Sequence, residues 1–219
     1  MDKLRLRFSK TGRAIYISHL DLMRTMQRSF VRAGYRLGYS EGFNPHALIS
    51  IALPLSVGTE SLCELMDFRL EDEPELSEMP GRLTEKMPEG LEALEVYVPE
   101  RKAAQIKWLS VEGLFEYDRR PAADMAARLN EFYSRDSIVI TKRTKRGEGE
   151  SDIRPAVRGI EFAPSDLGVA VKMTVSAQEP TLNPELTADA LRQLAPDIAP
   201  DFAKFTRIET YDADMGVFR

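Results

Sequence analysis

The chain has one cysteine, Cys63, and only two histidines, His19 and His46. A lone cysteine excludes an intramolecular disulfide, a four-cysteine zinc site and a cysteine-ligated iron–sulfur cluster. It points to a reducing cytoplasm. No apolar run approaches the roughly 20 residues that cross a bilayer, so no membrane partner is expected. The first residues, MDKLRLRF, alternate charged and apolar side chains and contain no signal-peptide core. The phosphate loop GxxxxGK[ST], the dinucleotide fingerprint GxGxxG, the nucleophile elbow GxSxG and the zinc motif HExxH are all missing. No metal or cofactor is expected.

What is present is an unevenly charged globular sequence. The net charge of −5 argues against an indiscriminate nucleic-acid binder, yet residues 1–46 carry nine Lys/Arg against three Asp/Glu. Residues 47–100 reverse this, with three against thirteen. Such an asymmetry can focus an anionic ligand on one face. It is equally what two ordinary solvated faces of opposite sign produce.

Hydrophobic periodicity divides the 219 residues into two runs of elements. Residues 3–8 alternate as a strand. Ser18 and Asp21 form a capping box that opens a helix to about Ala33, with Gly34 suited to the left-handed C′ position. On that helix His19, Leu22, Met23, Met26 and Phe30 fall on one side; Arg24, Arg28 and Arg32 form a stripe on the other. Strands are predicted over 47–55, 60–70 and 91–98, with a helix over 76–86. The order βαββαβ is the ferredoxin-like split unit. The second half repeats it with one added strand: strands over 106–117, 137–142, 159–163, 168–177 and 204–211, with helices over 121–133 and 183–194. Pro121 reads as a first helical residue. Residues 142–150 read as a charged loop. The fold class is thus α+β, two tandem ferredoxin-like halves with antiparallel sheets, over residues 1–100 and 101–219.

The candidate chemistry lies in the first half. His19 reads either as a half-buried imidazole near the helix cap or as an acid/base or substrate contact where N–H groups favour anions. His46 follows Pro45 in a loop, a setting that suits proton transfer or binding. Between Tyr39 and His46, Gly42 frees the backbone, Phe43 supplies a ring and Asn44 an amide. Exposed beside Arg24, Arg28 and Arg32, the ring suits a base stacking next to phosphates. Folded inwards it is simply core. The basic run 142–146 reads as a hairpin tip or a phosphate contact, and Trp108 as core.

Three strings carry a resemblance: RAIYISHLDLMR at 13–24, YSEGFNPH at 39–46 and PLSVG at 54–58. Together with SDIRP at 151–155, they resemble the radical SAM-linked protein family. That is a bacterial domain of unknown function, found as a separate chain or attached to a cobalamin-binding radical SAM protein. Ala47 and Leu48 depart from it, since a Pro and a Lys are expected there. The resemblance implies a companion of a radical SAM enzyme, not that enzyme itself.

Three functions follow as expectations. The first is an accessory RNA-binding module for tRNA or rRNA. In it Arg13, Arg24, Arg28 and Arg32 meet phosphates, Phe43 stacks, and Ser18, His19, Gly42, Asn44 and His46 orient the ligand. The second is a metal-independent endoribonuclease or transferase using His19 and His46. The third is a scaffold that docks a radical SAM partner through the acidic 60–100 region. The site depends on one arrangement: the 39–46 turn folding over the start of the first helix around an anion-accepting hollow.

Overall fold

The computed structural model describes residues 3–144 and 147–219, the side chains of 143 and 144 excepted. It is an α+β protein with four α-helices among the described residues. The chain divides into two compact units, one running to Gln105 with Arg219 added, the other Ile106–Phe218.

The first unit runs β1 (Leu4–Lys10), α1 (His19–Arg32), β2 (Ile49–Ala52), β3 (Glu60–Phe68), α2 (Met79–Thr84) and β4 (Leu91–Tyr97). A short 3₁₀ turn, Gly12–Tyr16, joins β1 to α1. Strand order is β4-β1-β3-β2, with each neighbouring pair antiparallel. Leu4, Leu6 and Phe8 of β1 alternate inwards with Met66 and Phe68 of β3. Onto that face α1 lays Leu22, Met26 and Phe30, and the Phe30 and Phe68 rings meet edge-on at 4.8 Å.

Both ends of α1 follow from local sequence. Ser18 is the N-cap, and its hydroxyl accepts the Asp21 N–H at 3.2 Å. The Asp21 carboxylate closes the box on the Ser18 hydroxyl itself, at 2.8 Å. At the other end Tyr35 N–H reaches Phe30 C=O and Gly34 N–H reaches Val31 C=O, with Gly34 at φ +84°. These two bonds make a complete Schellman closure, which needs a residue tolerant of positive φ.

The second unit runs β5 (Trp108–Glu116), α3 (Ala122–Tyr133), β6 (Val139–Thr144), β7 (Gly147–Asp152), β8 (Val157–Ser165), β9 (Gly168–Ser176), α4 (Glu185–Leu194) and β10 (Phe202–Tyr211). Its sheet has the order β10-β5-β9-β8; β6 and β7 form a separate antiparallel ribbon. Two expectations need correction here. Much of the 142–150 segment is not loop but paired strand, because its glycines and alternating acids tolerate an exposed ribbon. Of its basic run, Lys145 and Arg146 lie outside the described residues. Pro121 is the N-cap of α3, with extended backbone, rather than the first helical residue.

The face of the first sheet turned away from α1 holds charge. Arg5 on β1 pairs in register with Asp67 on β3 and Tyr97 on β4. Its guanidinium is fully buried and bidentate on Asp67, with Nε to Oδ1 at 2.6 Å and Nη2 to Oδ2 at 3.2 Å. Lys3 Nζ adds a third donor to Oδ2 at 2.8 Å. Burial by itself would raise the Asp67 carboxyl, but the hydrogen bonds and charges of Arg5 and Lys3 outweigh it and hold it below the usual aspartate range.

A folded-state value below the unfolded one gives a stability contribution that is complete above the ordinary aspartate pKa and lost as pH falls through the depressed one. Urea titrations across acid pH should therefore show the wild type losing stability over that window. The Asp67→Asn variant should lose less there, while starting about 3 kcal/mol or more lower at neutral pH because Arg5 is stranded. Parallel acid curves for the two proteins would contradict this account.

Candidate functional site

The 39–46 segment is a small hairpin loop. Tyr39 and Ala47 bridge as antiparallel partners, and Ser40 N–H donates to His46 C=O at 2.9 Å. Its side chains close the ring a second time. The Ser40 hydroxyl accepts the His46 N–H at 3.1 Å and lies 2.9 Å from His46 Nδ1. The hydroxyl can donate to Nδ1 or accept from it, according to the tautomer, and in either case Nε2 stays outside this clasp. Residues 41–45 are held outside this clasp, with Gly42 at φ +118°. At the tip Phe43 is fully exposed, and Asn44, Pro45 and His46 are exposed as well. The inward-folded ring is therefore not what forms.

The loop stands at the end of the sheet where β1 begins and β3 ends. Gly38 N–H donates to Arg69 C=O, Leu48 N–H to Gly38 C=O and Arg69 N–H to Leu48 C=O. These bonds carry the chain from the end of α1 across the end of β3 and into β2. Beside the loop lies a hollow of about 530 Å³, lined by Lys3, His46, Ser50, Asp67 and Arg69 together with residues 47–49, Phe68 and Ala103. Arg5 already neutralises Asp67, so Lys3 and Arg69 leave the lining positive. Arg69 is exposed and makes no ion pair among the described residues. By chain reach, Phe43 stands within about 10 Å of His46.

The other candidates are not gathered there. Arg13 lies on the 3₁₀ turn, and Ser18, His19 and Arg24 at the cap and in the first two turns of α1. The 14 residues of α1 span about 21 Å. The 39–46 turn therefore folds near the C-terminal end of α1, not over its start. His19 and His46 share no cleft, which removes the geometry a two-histidine ribonuclease requires. His19 is exposed rather than on the buried side; the buried stripe of α1 begins only at Leu22. Nor is the helix N-terminus open to an anion. Asp21 occupies it, held below the usual carboxylate range by the Ser18 hydroxyl and by Arg24, which it meets at 3.1 Å. Ser18 is thereby a capping residue, and Arg13 is exposed on the 3₁₀ turn. Arg28 and Arg32 are exposed further along α1, towards the loop.

Residues 3–184 match the family described as "Uncharacterized protein conserved in bacteria (DUF2344)". The chain belongs to that family. No curated protein matches the chain. The family match takes in the hollow, the loop and most of the second unit, including the SDIRP string at 151–155. That string is a structural clamp. Asp152 accepts the Ile138 and Arg154 N–H groups at 2.9 and 3.0 Å, Ile153 is buried, and Arg154 donates to the carbonyls of Arg135 and Val157. No group of three or more His, Cys, Asp or Glu suited to a metal ion occurs among the described residues.

Sequence reasoning missed Lys3, Arg69 and Ser40. Lys3 and Arg69 join only through the β1–β3 register. The S-x5-H spacing around a glycine and a proline was the available sign of a side-chain clasp.

If Phe43 is held out in water, Phe43→Ala should change the unfolding free energy by no more than about 0.5 kcal/mol. Phe30→Ala, which empties the α1–β3 core, should cost about 3–5 kcal/mol in the same denaturant titration. Similar costs for the two would place the Phe43 ring in the core.

Proposed function

We propose that the chain is an accessory module that binds single-stranded RNA through its first unit, in the cytoplasm, beside a radical SAM modification enzyme. The observation that carries the reading is the fully exposed Phe43 ring, clasped in a rigid loop at the rim of a positively lined hollow. A hollow of this size accepts a nucleotide. An exposed ring with neighbouring cations is the usual means of holding an unpaired base and its phosphates. Lys3 and Arg69 supply the charge, His46 Nε2 a polar ring atom and Asn44 an amide. Arg28 and Arg32 extend the positive surface along α1.

Each unit's strand order, counted within the split βαβ elements, is 4-1-3-2, which supports reading the chain as two ferredoxin-like units. The first does not offer the sheet face that many RNA-binding units of this order use. Arg5, Ser9, Cys63, Leu65 and Asp67 are buried there. Contact with RNA falls instead to a loop and a helix. The radical SAM partner rests on the sequence resemblance.

A second reading has its own observation. Tyr16, Leu20 and Val57 are exposed together at the far end of this unit, where Gly58 N–H donates to Ile15 C=O. Such a patch suits a protein partner, and it moves the docking surface away from the acidic 60–100 region.

Anisotropy with a short, unstructured labelled oligoribonucleotide tests the RNA reading at about 50 and about 200 mM salt. Binding should weaken as salt rises. Phe43→Ala should cost about 1–3 kcal/mol, roughly 5- to 150-fold. Arg69→Ala should lower affinity and flatten the salt slope by about 0.7. No binding at low salt, or binding indifferent to both substitutions, rules it out. For the second reading, Leu20→Glu should abolish co-elution with a purified radical SAM partner, and unchanged co-elution would reject it.

A further inference from the structure

A second hollow lies on the other side of the same hairpin. It measures about 390 Å³ and is lined by Val31, Gly34, Tyr35, Arg36, Leu37, Tyr39 and Glu71. Two of these are large apolar side chains left in water, Val31 at 65% and Tyr39 at 53% exposure. The Tyr39 backbone is fixed by its bridge to Ala47, and Tyr35 below is buried with the Arg82 guanidinium 5.0 Å over its ring. The floor is therefore built, and the Tyr39 ring stands above it.

The charge around this hollow favours an anion that carries a ring. Arg36 holds Asp72 through Nε at 2.8 Å and also meets Glu71, one cation against two carboxylates, so the positive charge comes from α1 beside the lining. Arg28 lies three residues before Val31 on α1 and so shares its surface. Arg28 and Arg32 are exposed and make no ion pair among the described residues. A helix partner would cover Val31 and Tyr39 but would leave these two guanidiniums facing its flank. A nucleotide covers the ring and answers the charge.

The two hollows are joined by the hairpin that separates them. Phe43 is at its tip and Tyr39 at its base, four residues apart and so no more than about 14 Å by chain reach. We infer that the Tyr39 hollow is a second base-stacking subsite, so that the hairpin grips a run of successive nucleotides in a single strand rather than one nucleotide. One base lies on Phe43 above the Lys3–Arg69 hollow. A later base lies on Tyr39 against Val31, with its phosphate at Arg28. This rests on the RNA reading proposed above and adds its extent and direction: the strand crosses the hairpin from β3 towards α1.

Anisotropy with labelled oligoadenylates of about two, four, six and eight nucleotides separates the inference from the reading beneath it. In the wild type affinity should climb between the dinucleotide and the hexanucleotide, then level off. Tyr39→Ala should leave the dinucleotide unchanged and weaken the longer strands roughly 5- to 100-fold. Tyr39→Phe, which keeps the ring and loses the hydroxyl, should restore them. Circular dichroism melts of both variants show whether the hairpin still folds. If Tyr39→Ala matches wild type at every length while Phe43→Ala weakens binding, the second subsite is wrong and the RNA reading stands. Equal losses at every length, the dinucleotide included, also overturn the subsite. If the wild type binds no oligonucleotide of any length, the RNA reading falls first.

Discussion

The buried pair of Arg5 and Asp67 is the constraint from which the first unit follows. Burying a guanidinium and a carboxylate costs several kcal/mol of hydration, and their attraction returns that only in good geometry. The two-pronged contact supplies the geometry, and Lys3 takes a remaining acceptor position on Oδ2. The gain lies less in net stability than in selection. A one-residue slip of β1 against β3 would turn every side chain over, driving Arg5 into the apolar face and stranding Asp67. With the register held, Leu4, Leu6 and Phe8 meet α1, and Lys3 arrives beside Arg69 at the rim of the hollow.

The loop next to it obeys a different economy. Holding five residues in one outward conformation costs chain entropy, and an exposed phenylalanine returns nothing for it. The clasp of Ser40 and His46 supplies three contacts between two residues' backbones and side chains, which offsets that cost locally. The outcome is a stiff tip without a core of its own. Such a tip has a reason to persist if something is to stack on it. The same clasp gives His46 a chemical role that is structural first: Nδ1 is engaged and Nε2 is left for a ligand.

Much of the local structure was legible in the residues. Ser18, Asp21 and Gly34 marked the ends of α1 because caps act within a turn of the chain, where no distant partner intervenes. The second unit's elements were legible for the same reason, apart from β7. Its sequence, GEGESD, carries no apolar alternation, because a ribbon wet on both faces buries nothing that periodicity can register. His19 misled for a related cause. Angular position on a helix says which side a residue faces, but not at which turn burial on that side begins, and here it begins at Leu22.

The amino-acid order by itself determined an α+β chain with a capped first helix, a histidine-bearing turn and no disulfide within the chain. Those properties depend on neighbours in sequence. Tertiary structure alone decided where the turn lands. Residues 34–48 could have folded back along α1 or crossed the sheet, and both satisfy their local preferences. The backbone bonds of Gly38, Leu48 and Arg69 send them across the end of β3. This brings His46 to Lys3, 43 residues distant in sequence, and leaves His19 at the far end of the helix. Register and strand pairing are long-range choices, made by burying charge against charge, and no window of sequence contains both partners.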